Sequence, residues 1–324
     1  MVDMWTNSSM NPLYFEFTLF SDFGPLRYVF FCVCVCIYAT IVCVNAVIVL
    51  SVSSHRSLHR PMYVFICSLS LNSLYGSAAF FPRFLCDLVS DTHFISRPSC
   101  FLQMYVIHSY KGQEVTILTV MAYDRFVAIF HPLHYQSKMS MSVVGSLLVL
   151  AVLYPVVVFG FFFYSSSRLP LCGHELQRLF CNNWSIVQLS CVETVIINKS
   201  SQFFIVMSIF VPLFFVLYTY LRVLLLCRRS SSEFRRKALH TCLPHIVTFL
   251  NFCFTVFCEV LLSLYRVDQV NVFVVAVLSL EFLLFPPITN PLVYGLSLPQ
   301  IRAVAFRRVR IHTRVPAKNL TNPH

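Results

Sequence analysis

Seven long apolar stretches are separated along the chain by short polar segments. They cover approximately residues 28–53, 61–86, 100–129, 141–164, 197–227, 238–264 and 271–296. Each is long enough to cross a membrane, because a spanning helix needs about 20 predominantly apolar residues. The pattern predicts a polar, exposed leader over residues 1–27, a seven-helix bundle over residues 28–298 and a tail over residues 299–324.

The composition indicates a membrane protein, and the distribution of charge indicates its orientation. Apolar residues make up 57% of the chain and charged residues 11%, whereas a soluble domain has about 25% charged residues. Of the 24 Lys and Arg residues, 16 lie in residues 54–60, 124–140, 221–240 and 299–324, which share one side of the predicted membrane. Because cytoplasmic loops are enriched in basic residues, that side is predicted to be cytoplasmic and the amino terminus extracellular. The net charge of +11 therefore reflects topology in a lipid bilayer, and no nucleic-acid partner is expected.

The predicted outer side carries a glycosylation sequence and four cysteines. Asn7-Ser8-Ser9 is an N-glycosylation sequence, which is used only when it faces the lumen. Cys100, Cys172, Cys181 and Cys191 fall in outer segments, where the environment is oxidising and disulfides persist. Four cysteines permit three pairings, and the sequence alone does not choose among them.

The third span ends with Met-Ala-Tyr-Asp-Arg, residues 121–125. A charge at the centre of a membrane helix costs about 2.5–3.5 kcal/mol, so Asp124 and Arg125 are expected near the membrane surface or inside the bundle. Pro132 then ends the helix, because proline has no backbone N–H. Three further motifs are Pro-Met-Tyr at residues 61–63, Lys-Ala-Leu-His-Thr-Cys-Leu-Pro-His at residues 237–245 and Pro-Ile-Thr-Asn-Pro-Leu-Val-Tyr at residues 287–294.

In this order, and in register with seven spans, the four motifs resemble those of odorant receptors, a branch of the rhodopsin-like G-protein-coupled receptors. Leu-Asn-Ser-Leu-Tyr-Gly at residues 71–76 resembles the fish branch most. The resemblance implies an all-α membrane protein, a seven-transmembrane helix bundle followed by a short amphipathic eighth helix near residues 301–310. It also implies the disulfides Cys100–Cys181 and Cys172–Cys191.

The resemblance further implies that the protein binds a small odorant in the outer half of the bundle and activates a heterotrimeric G protein. The expected G protein is of the Gs (olfactory) type, which raises cyclic AMP, and the expected location is the plasma membrane of sensory-neuron cilia. The residues expected to contact the odorant are Met104, Tyr105, His108, Lys111, Gly112, Phe204, Ser208, Val256, Phe257, Val260, Ala276 and Leu280. The residues expected to take part in activation and G-protein coupling are Asp124, Arg125, Tyr220, Lys237, Asn290, Pro291 and Tyr294.

The chain departs from the family at the place where many related receptors bind sodium. Ser73 stands where those receptors have a carboxylate in the second span, and Glu114 in the third span is expected to replace it. Glu114 lies 11 residues before Arg125, about three helical turns, so both side chains point to the same face of the helix. We expect a sodium ion near Glu114 that restrains basal signalling; no other cofactor or metal site is expected.

Lys111 allows two interpretations. An ammonium group inside a membrane helix needs a partner, and Glu114, three residues further on, is one candidate. The other candidate is an anionic or carbonyl-bearing odorant, which Lys111 would bind together with His108.

Other functional classes lack the residues that they need. The sequence contains no His-Glu-x-x-His, Gly-x-Ser-x-Gly or Walker motif, so an enzyme is not expected. No lysine lies in the seventh span to form a Schiff base, which argues against a light sensor. No internal repeat favours a transporter. The remaining alternative is a related chemosensory receptor expressed outside olfactory tissue, which the sequence does not separate from an odorant receptor.

Overall fold

The structure is a computed structural model that describes residues 11–192, 195–228, 231–264 and 271–297. In these ranges, seven long helices follow the seven predicted spans and extend beyond most of them. The long helices are α1 (Arg27–Ser54), α2 (Pro61–Val89), α3 (Arg97–Phe130), α5 (Met141–Ser167), α7 (Val195–Arg228), α8 (Ser232–Leu264) and α9 (Val272–Ser297). Two short helices, α4 (Tyr135–Lys138) and α6 (Asn183–Gln188), lie in loops. Asn7 and the expected amphipathic helix after α9 lie outside the described residues.

The helices differ in how much of their surface is buried. Five of them, α1, α2, α5, α7 and α9, contain segments long and apolar enough to cross a membrane. In the most apolar segment of α5 only 17% of the residues are buried, compared with 56% in α9. A helix with such an apolar exposed surface fits contact with lipid. The chain is therefore a multi-pass helical membrane protein in which α5 lies at the periphery and α9 contributes to the interior.

Helix α3 is the central element of the bundle. It packs against α2, α5, α7 and α8. Its first turn is fixed by Ser96, whose hydroxyl accepts a hydrogen bond from the backbone N–H of Ser99, and by Pro98 near the helix start. Its buried face includes polar side chains as well as apolar ones, which explains why α3 is less apolar than the peripheral helices.

A proline inside α5 is matched by a side chain of α3. Pro155 has no backbone N–H, so the carbonyl of Ala151 one turn earlier lacks its usual helical donor. Thr116 donates its hydroxyl to that carbonyl at an oxygen–oxygen distance of 2.6 Å. The exchange of a backbone donor for a side-chain donor holds α5 beside α3, as is common around prolines in membrane helices.

The leader folds onto the outer end of the bundle. Strand β1 (Tyr14–Phe17) pairs antiparallel with β2 (Phe94–Ser96) and parallel with β3 (Glu175–Leu176), which gives a three-stranded sheet in the order β2-β1-β3. Phe15, Phe17, Phe20 and Phe23 are buried against the outer ends of the helices. The prediction that the whole leader is exposed is therefore wrong, because its aromatic residues complete the outer core.

Two disulfides fix the loop that crosses this outer end. Cys100 at the start of α3 is bonded to Cys181, and Cys172 is bonded to Cys191. Both pairings expected from the resemblance are confirmed. Each bridge is expected to stabilise the fold by about 2–4 kcal/mol, mainly by restricting the unfolded chain.

Candidate functional site

Two charged side chains and a tyrosine form a hydrogen-bonded cluster at the inner end of α3. The Nε atom of Arg125 donates to the Asp124 carboxylate at 2.9 Å, and a guanidinium Nη2 donates to the same oxygen. Tyr135 of α4 donates its hydroxyl to the other carboxylate oxygen at 2.7 Å. Burial, followed by the nearby charge of Asp124, raises the pKa of Tyr135, so its hydroxyl stays protonated and remains a donor. Asp124 is fully buried and has both oxygens satisfied. No role for Tyr135 was predicted from the sequence.

The two tyrosines expected to take part in activation, Tyr220 and Tyr294, both form hydrogen bonds with α8. Tyr220 of α7 forms a hydrogen bond with Nδ1 of His245, whose Nε2 lies 2.8 Å from the carbonyl oxygen of Leu118 in α3. The hydroxyl of Tyr294 in α9 lies 2.9 Å from the hydroxyl of Thr248. These contacts join α3, α7, α8 and α9 through two residues of α8. His245 lay within a motif used for the resemblance, but its role as a bridge was not predicted. The side chain of Lys237 lies outside the described residues.

Glu114 lies at the centre of a buried polar cluster below the expected ligand region. Asn290 of α9 donates to one of its carboxylate oxygens at 2.6 Å, and Asn72 of α2 donates to the other at 3.3 Å. Ser73, beside Asn72, is fully buried and donates to the Leu69 carbonyl at 3.1 Å. In the described part of the chain, the partners of Glu114 are thus two amides rather than Lys111.

The amides around Glu114 leave oxygens available. The side-chain oxygens of Asn72 and Asn290 are buried and have no hydrogen-bond partner among the described residues. Carboxylate and carbonyl oxygens are the ligands that hard cations take. The composition of this cluster therefore fits the expected sodium ion.

Lys111 faces α9. Its ammonium nitrogen lies 3.5 Å from the ring centroid of Phe282, a cation–π contact. The hydroxyl of Tyr110 donates to the Phe282 carbonyl at 3.3 Å, a carbonyl that Pro286 leaves without a helical donor. Glu281 precedes Phe282 in α9; it is buried, and neither of its carboxylate oxygens has a hydrogen-bond partner among the described residues. Glu281 was not predicted as a site residue, although it is the one charged residue in the seventh apolar stretch.

Three of the residues expected to contact the odorant line a small pocket. Met104, Tyr105 and His108 of α3 face three aromatic side chains of α5 together with one residue of the outer loop. Those other lining residues are Phe159, Phe162, Phe163 and Asn183. The pocket thus lies between α3 and α5, whereas the residues expected to contact the odorant lie in the third, fifth, sixth and seventh spans. The aromatic residues of α5 were not predicted to line a pocket, because the fourth span is apolar throughout and its sequence does not show which side chains face α3.

Gly112 and Ser208 also face α5. A Cβ atom added to Gly112 would lie 2.6 Å from a ring carbon of Phe159 and 2.7 Å from Cβ of Pro155. The glycine therefore permits close packing of two helices at this position. The hydroxyl of Ser208 in α7 lies 3.4 Å from that of Tyr154.

The remaining expected ligand residues occupy different environments. Ala276 and Leu280 of α9 are fully buried in the outer core. Val256 of α8 packs against the inner core, while Phe257 is 58% exposed on the outside of the bundle. The side chains of Phe204 and Val260 lie outside the described residues.

Seven long helices around a buried polar core, with an arginine–aspartate pair at the inner end of the central helix, define a seven-helix membrane receptor. The family model described as olfactory receptor matches residues 31–311. The chain is 32% identical over 308 residues to human olfactory receptor 10A3, a match that covers 92% of this chain and 96% of that protein. It is 30% identical over 317 residues to human olfactory receptor 4K2, covering 95% and 96% of the two chains. Mouse olfactory receptor 4B13 is 36% identical over 220 residues, covering 64% and 68%. The chain belongs to the olfactory receptor family.

Proposed function

We propose that this protein is an odorant receptor that binds a small odorant in the outer half of the helix bundle and activates a heterotrimeric G protein at the inner end. The G protein is of the Gs (olfactory) type, and activation raises cyclic AMP. The observation that supports this function is the bridge through α8. His245 and Thr248 connect α3, α7 and α9, and the contact with α3 is at Leu118, less than two helical turns before Asp124.

The bridge suggests how a ligand signal reaches the inner surface. His245 contacts both Tyr220 of α7 and the Leu118 carbonyl of α3, so an outward movement of α8 breaks at least one of these contacts. The released Tyr220 and Tyr294 can then turn towards Arg125, which leaves Asp124 to meet the G protein. A ligand drives this change only if it binds the opened bundle more tightly than the closed one.

The protein acts as a receptor and not as an enzyme, at the plasma membrane with its amino terminus outside the cell. In this orientation Asn7 is glycosylated, and the polar inner loops carry the basic residues. Sensory-neuron cilia are the proposed location. The orientation follows from the excess of Lys and Arg in the segments on the Arg125 side.

Lys111 is proposed to contact the odorant. Its ammonium group carries three N–H donors, and the Phe282 ring takes one side of it. The proposed ligand group at this ammonium is a carboxylate or a carbonyl oxygen, both of which accept hydrogen bonds. Lys111→Met keeps most of the side-chain volume and removes the charge, so it should weaken responses to acid odorants more than responses to neutral ones. Equal potencies for both classes in this variant would contradict the proposed contact.

A cyclic-AMP reporter assay in cultured cells tests the function. Cells that express the receptor with an olfactory-type Gα subunit should respond to one or more odorants in a panel of water-soluble and volatile compounds. Arg125→Ala should abolish the response while surface expression, measured with an extracellular amino-terminal tag, is retained. Responses that persist in Arg125→Ala, or in cells that lack every stimulatory Gα subunit, would contradict the proposal.

A further inference from the structure

Arg222 places a guanidinium group on the membrane-facing surface of α7. It lies within Met207–Arg228, a segment of α7 that is long and apolar enough to cross a membrane. Arg222 is exposed, and so are Leu221 before it and Leu224 and Leu225 after it. Because exposed apolar residues precede and follow Arg222 along the helix, its charge lies within the surface that lipid covers. An arginine at such a place needs a partner of opposite charge or a path to the membrane surface.

Two aromatic rings fix the position of this guanidinium where α7 meets α3. Its Cζ atom lies 5.7 Å from the ring centroid of Phe130, the last residue of α3, and 5.8 Å from that of Tyr218, one turn earlier in α7. The ring of Phe126 is stacked on that of Phe130 at a centroid distance of 4.5 Å. Ring faces attract cations at these distances. Because Phe130 ends α3, the guanidinium lies close to the inner surface of the membrane.

Arg222 has no negatively charged partner among the described residues. Its Nη1 atom donates to the hydroxyl of Tyr218 at 2.9 Å, which is its one side-chain hydrogen bond in the described part of the chain. No carboxylate oxygen of the described residues lies within 4.0 Å of its nitrogens, whereas Arg125 is paired with Asp124. A guanidinium carries five N–H donors in a planar fork that matches the oxygens of a phosphate. The partner that fits Arg222 is therefore an anion with several acceptor oxygens.

We propose that Arg222, oriented by Tyr218 and Phe130, binds the phosphate of an anionic phospholipid in the leaflet on the Arg125 side of the membrane. The acyl chains of this lipid run along the exposed leucines of α7. Basic side chains at the end of a membrane-crossing segment attract anionic headgroups. A zwitterionic lipid fits less well, since the choline group of phosphatidylcholine partly offsets the charge of its own phosphate. The proposal does not depend on the identity of the odorant or of the G protein.

The first test measures lipid binding to the unmodified receptor, purified in detergent. The probes are short-chain phosphatidic acid, phosphatidylserine and phosphatidylcholine with identical acyl chains, together with inorganic phosphate. Native mass spectrometry measures the bound lipid, and the melting temperature measures the stabilisation. Both anionic lipids should bind more tightly than phosphatidylcholine by about tenfold or more, the difference expected for a charge-assisted contact. Equal binding of phosphatidylcholine would overturn the inference. Displacement of the lipid by an equal concentration of inorganic phosphate would also overturn it, because the site would then be one for a free anion.

The second test compares two arginines of the same helix. Arg222→Gln removes the charge at the proposed site and should weaken binding of the anionic lipids by about tenfold or more, as loss of a charge-assisted hydrogen bond does. Arg228→Gln is the matched control, because Arg228 is exposed at the end of α7 and has no aromatic contact among the described residues. Its lipid binding should match that of the unmodified receptor. Equal losses in the two variants would show only a general attraction of basic residues to anionic lipid and would overturn the specific site.

A third test locates the lipid without any substitution. Phosphatidic acid with a photoreactive diazirine next to its headgroup is crosslinked to the unmodified receptor, and the labelled peptides are identified by mass spectrometry. The label should fall on the inner end of α7, near Tyr218 and Arg222, or on the inner end of α3, near Phe130. Labelling confined to other helices would overturn the inference. If Arg222→Gln cannot be purified, this map and the comparison of lipids decide the question.

Discussion

The side-chain amide of Asn45 in α1 donates a hydrogen bond of 2.7 Å to the carbonyl oxygen of Pro287 in α9. This carbonyl lies four residues before Pro291, which has no N–H to donate to it. The same amide also donates to the Ile41 carbonyl at 2.9 Å. Asn45 is fully buried, so one side chain both compensates for the proline and joins α1 to α9.

Replacing Asn45 by Ala should destabilise the receptor. The Pro287 carbonyl would remain buried without a donor, which costs about 1–3 kcal/mol. The melting temperature of the purified receptor in detergent should fall accordingly. Thr40→Ala is the control, because Thr40 is exposed on α1 and donates only to the Cys36 carbonyl of its own helix. Equal melting temperatures for the two variants would show that the contact between α1 and α9 contributes little.

Removing the hydroxyl of Tyr135 should raise basal signalling. Tyr135→Phe deletes the donor to Asp124 and leaves the contact between Asp124 and Arg125 in place. A hydrogen bond to a carboxylate contributes about 1.5–3 kcal/mol, so the equilibrium should shift by at least roughly tenfold towards the state in which Arg125 is released. Basal cyclic AMP per receptor at the surface measures the shift. Tyr123→Phe, a change of the same kind one residue before Asp124, should leave basal signalling unchanged, and an increase of equal size there would count against the mechanism.

Much of the fold could be predicted because its signals are local. The apolar length of each stretch predicts a span, and the oxidising side of the membrane limits which cysteines can pair. The leader was mispredicted because its burial depends on partners far away in the chain. Phe15 and Phe17 are buried in a strand that pairs with residues 94–96 and 175–176, and no local pattern reveals that pairing.

The site was harder to predict than the fold, because its residues act through partners on other helices. Glu281 and His245 are single polar residues in apolar stretches, and their importance depends on the rotation of their helices. Spacing places Lys111 and Glu114 on one face of α3 but does not show that Glu114 meets two amides while Lys111 meets an aromatic ring. Gly112 was assigned to the ligand by resemblance, whereas in the structure it packs against α5.

Enlarging Gly112 should damage helix packing. In Gly112→Val the new side chain would overlap Phe159 and Pro155 of α5, and overpacking of this kind typically costs about 1–3 kcal/mol. We expect lower surface expression and a lower melting temperature. Gly145→Val in α5 is the control, because nothing lies within 4 Å of a Cβ atom added there. A Gly112→Val receptor of normal stability that responds to a different set of odorants would instead support a direct role of Gly112 in ligand binding.

The proposed sodium ion at Glu114 should restrain basal activity, and removing the charge of Glu114 should remove that restraint. In membranes that contain the receptor and its G protein, replacing potassium chloride by sodium chloride at constant ionic strength should lower basal guanine-nucleotide exchange. Glu114→Gln should make basal exchange independent of the cation, because a neutral amide no longer attracts the ion that the oxygens of Asn72 and Asn290 would help to coordinate.

Glu281→Gln is the matched control for this experiment, since it makes the same change at another buried glutamate of the bundle. Its basal exchange should still respond to sodium, because Glu114 and its two amides remain. If sodium dependence survives in Glu114→Gln but disappears in Glu281→Gln, the cation binds at Glu281 in α9. That result would contradict the assignment to Glu114. Absence of any sodium effect in the unmodified receptor would contradict the proposed restraint altogether.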